Sequence, residues 1–146
     1  MRGDYMLSAV TKAVVAEFEQ EPVIAVFTER PTQDAPKKYL FVHHINFEQN
    51  PDMGNAANRF YFFDIRFHPD DKTSTEYRNF AKVTERLAEC LLYVETDDQP
   101  AKATSMRSEI QDGVLHFFVD YPIRVRYRLP EQPKMEELDI RENVKE

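Results

Sequence analysis

From Val114 to Arg128 every second residue is apolar: Leu115, Phe117, Val119, Tyr121, Ile123, Val125 and Tyr127. The residues between them are Val114, His116, Phe118, Asp120, Pro122, Arg124, Arg126 and Arg128, so the other face begins apolar and ends basic. A period of two sustained over this length requires a β-strand with one face in a core, because successive side chains on a pleated strand point to opposite sides. The pattern runs unbroken through Pro122, which has no N–H to give a ladder. That places an open edge or a bulge in this strand.

Two further segments read as strands. In Arg59–Phe67 the core row is Tyr61, Phe63, Ile65 and Phe67, with Phe60 and Phe62 opposite. In Tyr39–Phe47, Tyr39, Phe41, Ile45 and Phe47 point one way and Leu40 and Val42 the other. Twelve of the chain's 18 aromatic residues lie in these three strands, on both faces. A second apolar face opposite a core row marks a contact surface. Phe60, Phe62 and Phe118 are therefore expected at an interface with another copy or a partner; the alternative is that a loop or the acidic tail folds over them.

Around these strands the chain punctuates itself. Leu7, Val10, Val14 and Phe18 form one helical stripe, ended by Glu21-Pro22. Val23 to Thr28 reads as a strand, and a Pro-containing loop follows to Lys37. Glu48–Asn58 reads as a long polar loop. Thr73-Ser74-Thr75-Glu76 has the form of a capping box, opening a helix with Tyr77, Phe80, Val83, Leu87 and Leu91 on one face and an end near Val94. Asp112-Gly113 between two strand patterns predicts a tight hairpin. The order α-β-β-β-α-β-β predicts an α+β fold: an antiparallel sheet of about five strands with two amphipathic helices on one face. The expected division is one domain over 1–129 and an extended acidic tail over 130–146.

Composition removes whole classes of function. Three glycines cannot build a phosphate loop, and a single cysteine, Cys90, excludes an internal disulfide framework and any Cys-based zinc cluster. No apolar run is long enough to span a membrane, and the first residues lack a secretory core, which points to the cytoplasm or to an assembly built there. The balance of 19 basic to 26 acidic residues, net −7, is not the footprint of a tight nucleic-acid binder. His43 and His44 are adjacent on a strand and face opposite ways, so they cannot share a metal from a regular ladder. His116, with Asp64 or Asp120, reaches one of them across the sheet, but no spacing demands a ligand set. Cys90 lies in the second helix between apolar neighbours and needs a separate basic partner to be nucleophilic, so a small buried hydrophobe is expected. No catalytic, cofactor or metal residues are expected. Arg124, Arg126 and Arg128 stand on one face about 7 Å apart, suited either to grip an acidic surface or phosphates or to guard an edge strand.

The stretch Ser108-Glu109-Ile110-Gln111-Asp112-Gly113-Val114-Leu115-His116-Phe117-Phe118-Val119-Asp120-Tyr121, with Arg124-Val125 and Pro133-Lys134-Met135-Glu136-Glu137-Leu138 after it, resembles the phage tail terminator family of prophages in Gram-positive bacteria. The N-terminal helix, Phe62-Phe63-Asp64-Ile65 and the second helix stand in matching order, while Pro31–Lys37 and Gln49–Asn58 depart from the family pattern. The resemblance implies a non-enzymatic virion protein, assembled in the host cytoplasm. It implies a homo-oligomeric ring, typically hexameric, on the head-proximal end of the tail tube. That ring would stop tube polymerisation, contact tail tube, neck or connector proteins and, in contractile tails, the sheath, and let genome DNA pass without sequence-specific binding. The alternatives are another neck component, a connector or stopper, and a dimeric ligand-binding or enzymatic domain.

The tail carries six acidic and three basic residues, net −3, with Met135, Leu138 and Ile140 as lone apolar anchors. It is expected to dock on an adjacent subunit or tail component, with Glu136, Glu137 or Asp139 reaching the arginine row.

Overall fold

The computed structural model describes residues 4–19, 24–31, 38–69 and 76–128. Its elements are α1 (Asp4–Phe18), β1 (Ala25–Phe27), β2 (Tyr39–Pro51), β3 (Ala56–His68), α2 (Glu76–Cys90), β4 (Tyr93–Val94), β5 (Ala101–Lys102), β6 (Ser105–Gln111) and β7 (Val114–Arg126). Five strands form one sheet in the order β1-β2-β3-β7-β6, and β4 and β5 form a small separate pair. The fold is α+β, but the sheet is mixed where a purely antiparallel one was expected. β1 runs parallel to β2, so β2 begins at the end where β1 began. The other pairings are antiparallel.

Both helices pack on one face. Met6, Val10, Val14 and Phe18 of α1 and Phe80, Val83 and Leu87 of α2 share a core with Leu40 and Val42 of β2, Tyr61, Phe63, Ile65 and Phe67 of β3, and Leu115, Phe117, Val119 and Tyr121 of β7. These side chains touch in a close-packed layer, as the edge-on Phe67–Phe80 ring pair illustrates, with centroids 5.9 Å apart. Two polar contacts fix the helices. The buried Tyr121 hydroxyl donates to the Leu91 carbonyl at 2.5 Å, satisfying an acceptor just past the end of α2. Arg86 donates to the Glu17 carboxylate and to the Glu17 carbonyl, each at 2.8 Å, and lies over the Phe18 ring at 4.2 Å. It joins the end of α1 to α2.

The core rows of β3 and of β7 as far as Tyr121 are as expected. Four readings change. Glu48–Asn58 is no loop: β2 and β3 continue as a paired arm to Pro51↔Ala57, closed by a tight turn with Gly54 at φ +65. Among the described residues Glu48–Pro51 are exposed and lie outside the core cluster, so hydrophobic alternation is absent there and a sequence pattern based on it fails. A register shift between His44 and Asn46 breaks the parity of β2. Phe41 consequently faces away from the helices, opposite Arg66, while Phe47 faces their side, opposite Tyr61. Helix α2 stops at Cys90 rather than near Val94, because Tyr93–Val94 pairs with Ala101–Lys102. The β7 core row fades beyond Tyr121, through half-buried Ile123 and Val125 to exposed Tyr127. The β6–β7 hairpin has the expected turn, with Asp112 at φ 54 and Gly113 at φ 77. The proposed capping residues Thr73–Thr75 and the tail 130–146 lie outside the described residues.

Candidate assembly surface

The sheet face turned away from the helices carries no packed element among the described residues. Along β3 it presents Phe60, Phe62, Asp64 and Arg66; their partners on β7 are Pro122, Asp120, Phe118 and His116. On the other side β2 contributes Glu48, Asn46, His43 and Phe41, and β6 contributes Ser105, Arg107 and Glu109. All of these follow from the two-residue period of the strands and the one bulge in β2.

The middle of this face is polar and only partly bonded: the buried Oδ1 atoms of Asp64 and Asp120 have no hydrogen-bond partner among the described residues. Asp64 is 3% exposed, and its Oδ2 accepts from Arg66 Nε and from His116 Nδ1, both at 2.9 Å. Arg66 Nη2 approaches His43 Nδ1 at 3.5 Å, and its guanidinium lies over the Phe41 ring at 5.8 Å. Arg107 from β6 covers Phe118 at 4.5 Å, and His116 stacks on the same ring at 6.1 Å. Cations thus lie on two of the outward aromatic rings while their stems cover apolar surface.

Phe60, Phe62 and Phe118 all reach this face, half-buried. Phe62 and Phe118 meet, with Ile45, Arg107 and Asp120, around a shallow concavity of about 270 Å³; Phe60 does not line it. Ile45 owes its exposure of 43% to the bulge, and alternation alone had no means of setting it beside Phe62. Arg124 and Arg126 lie at the far end of the face. Arg124 bonds the Asp52 carboxylate and approaches Asn58 Oδ1 at 3.4 Å, and Arg126 approaches Asn55 Oδ1 at 3.4 Å. The first two arginines are therefore engaged by the β2–β3 turn, and Arg128 is exposed beyond them. The Arg124 hydrogen bond holds the Asp52 carboxyl below the usual carboxylate range, helped by a backbone bond at Met53. Met135 and Leu138 lie outside the described residues.

The histidines divide as expected from their parity. His43 joins the outer network, and His44 stacks on Phe63 at 4.9 Å on the helix side. His116 and Asp64 do meet, yet Arg66 is bonded to the same carboxylate oxygen, and its fixed positive charge opposes a cation there. Among the described residues no three His, Cys, Asp or Glu side chains are grouped to hold a metal. Burial, then the nearby Glu17 carboxylate, pushes the Cys90 thiol up to about 12, so it stays a neutral thiol rather than a nucleophile. No helix among the described residues is long and apolar enough to cross a membrane.

Comparison with known proteins adds an independent line. A family described as phage tail terminator protein matches residues 6–134. A solved chain from the virion of a native gene transfer agent particle superposes with TM-score 0.52 at 13% identity, covering 83% of this chain and 97% of that one. A second solved chain covers 90% of this chain and 99% of its own at TM-score 0.45 and 11% identity, too loose a superposition to carry an argument. No curated protein matches the sequence.

Proposed function

This chain belongs to the phage tail terminator family, a family of structural proteins of the phage tail, and from that premise we propose that copies of it form a ring, hexameric as is typical of the family, at the head-proximal end of the tail tube. The ring stops tube polymerisation and presents the docking surface for neck components, and genome DNA passes through it. The observation that carries the reading is the outer sheet face, on which no element packs among the described residues, with Phe60, Phe62 and Phe118 half-buried beside the Asp64 centre. Cations over the rings let an aromatic surface of this kind stay in water and still exchange those cations' hydration for a partner surface. The likeness of the fold to a virion chain and the net charge of −7, which does not hold DNA back, support the same reading.

Phe62→Glu tests it. A charge placed in a packed interface costs several kcal/mol unless it is paired, whereas on a free face it is tolerated. The variant is expected to remain folded by circular dichroism and to fail to complement a terminator-deletion phage, which would give tails of uncontrolled length that do not join heads. Normal tails with Phe62→Glu exclude this face from assembly. Outright unfolding would show that the face belongs to the protein's own core.

A further inference from the structure

Arg59 is held in place by neutral groups alone. Its Nε donates to Gln49 Oε1 at 2.6 Å, Nη1 to the Tyr61 hydroxyl at 3.3 Å and Nη2 to the Tyr127 hydroxyl at 3.1 Å. The guanidinium lies 5.7 Å from the ring centroids of both Phe47 and Tyr127, and Tyr127 donates to Gln49 Oε1 at 2.7 Å. The ion pairs among the described residues do not include Arg59. Its charge is therefore uncompensated there while its planar fork is already oriented. The flanking rings of Phe47 and Tyr127 are 44% and 45% exposed. Arginine set between exposed aromatic rings is the kind of cluster that carries the binding energy of protein interfaces.

A complementary surface lies across the sheet. At the arm β2 is the outermost strand, since β1 pairs with it only at Tyr39–Phe41. On the β6 side of β7 stands the β4–β5 hairpin, joined to β7 by Thr104 N donating to the Asp120 carbonyl at 3.1 Å. The hairpin presents Leu92 and Tyr93, 41% and 55% exposed, and beside them the exposed Glu95, Asp97 and Asp98. None of these three carboxylates has an ion-pair partner among the described residues. Lys102 lies over the Tyr93 ring at 5.7 Å and Lys12 borders the loop, which leaves the acids in the majority. A groove of about 720 Å³ lies between this loop and Arg124 and Arg126, so these arginines do not neutralise it.

We propose that on assembly the Arg59 cluster of one copy receives the Glu95–Asp98 loop of a second copy. The two surfaces match in both respects that matter: exposed apolar side chains meet exposed apolar side chains, and an uncompensated cation meets uncompensated carboxylates. They are different surfaces on opposite sides of the sheet. A contact between them is therefore heterologous when each copy offers its arm to one neighbour and its acidic loop to the other, and contacts of that kind close into rings. This inference rests on the ring reading. It adds to the outer face a second surface, on the helix side of the arm, through which neighbouring copies meet.

Charge reversal on each side of the contact, in the full chain, tests it. Arg59→Glu sets a carboxylate against the acidic loop, and Glu95→Lys with Asp97→Lys sets lysines against Arg59. Either chain alone is expected to lower the yield of infectious particles from a terminator-deletion phage by roughly 100-fold or more, because like charges face each other at every contact. Co-expression of the two is expected to restore the yield, since in alternating copies each reversed surface meets its complement. Normal yield from either chain alone, or no restoration by the pair, overturns the proposal. Those are the outcomes if Arg59 instead serves DNA phosphates or a carboxylate of its own chain. Should Arg59→Glu not fold by circular dichroism, Phe47→Glu replaces it: it gives Arg59 an internal carboxylate and repels the loop, with the same outcomes expected. A restored pair whose cross-linked assemblies stop at two copies supports the contact and overturns the ring reading, so the two failures are distinguishable.

Discussion

The two faces of the one sheet are built from the same strands, residue by residue, yet they solve opposite problems. Toward the helices, Phe63, Ile65, Phe117 and Val119 are at most 2% exposed and surrounded by apolar atoms. Away from them, the alternate residues Phe62, Asp64, His116 and Phe118 mix rings with charge, and the carboxylate at the centre is nearly as buried as the core. The core face loses water through contacts with α1 and α2. The outer face loses water at Asp64 through its own side chains, because Arg66 and His116 converge on it. The difference teaches that apolar content alone does not distinguish a core from a contact surface. What distinguishes them is whether polar groups are interleaved and bonded.

Truncation is expected to separate the faces most sharply. Phe63→Ala should cost about 3–5 kcal/mol, as removal of a fully buried ring leaves a cavity. Phe62→Ala, one residue away and half-buried, should cost about 1 kcal/mol. Urea denaturation of both variants measures the gap, and equal losses would mean that the outer face is core in its own right.

A smaller effect is expected at the polar centre. Asp64→Ala leaves the Arg66 and His116 donors, with side chains only 27% and 14% exposed, without their shared acceptor. The expected loss is about 1–3 kcal/mol by the same denaturation. A loss under a few tenths would show that the network does not organise the face.

The smallest effect concerns Asp52 and Arg124 at the far end. The folded pKa of Asp52 lies below its usual value, chiefly through the Arg124 hydrogen bond. The pair's contribution is therefore fully present above the usual carboxylate pKa and is lost as pH falls through the lower folded one. Because both partners are accessible to solvent, the acid melting curve of Arg124→Gln should differ only slightly from that of the parent chain at neutral pH. The two curves should converge in acid, where the parent has lost the pair as well.

Local physics wrote much of this protein into its sequence. The β7 row from Leu115 to Tyr121, the β3 row, the Asp112-Gly113 turn and the stripes of α1 and α2 were legible because periodicity and turn chemistry are properties of neighbours in the chain. The opposite placement of His43 and His44, and the outward turn of Phe60, Phe62 and Phe118, followed from the same period of two. Tertiary structure alone decided the rest. It set β1 parallel to β2, carried β2 and β3 onward as a paired arm whose β2 side is exposed, and shifted the register at Ile45 so that this residue joins Phe62 and Phe118. It also brought Arg66 and His116 onto one oxygen of Asp64, and ended the β6 pairing at Asp120 while β3 follows β7 to Arg126. Each of these depends on which strands become neighbours and in what register, and that is settled by contacts between residues far apart in the chain, where a local pattern carries no information.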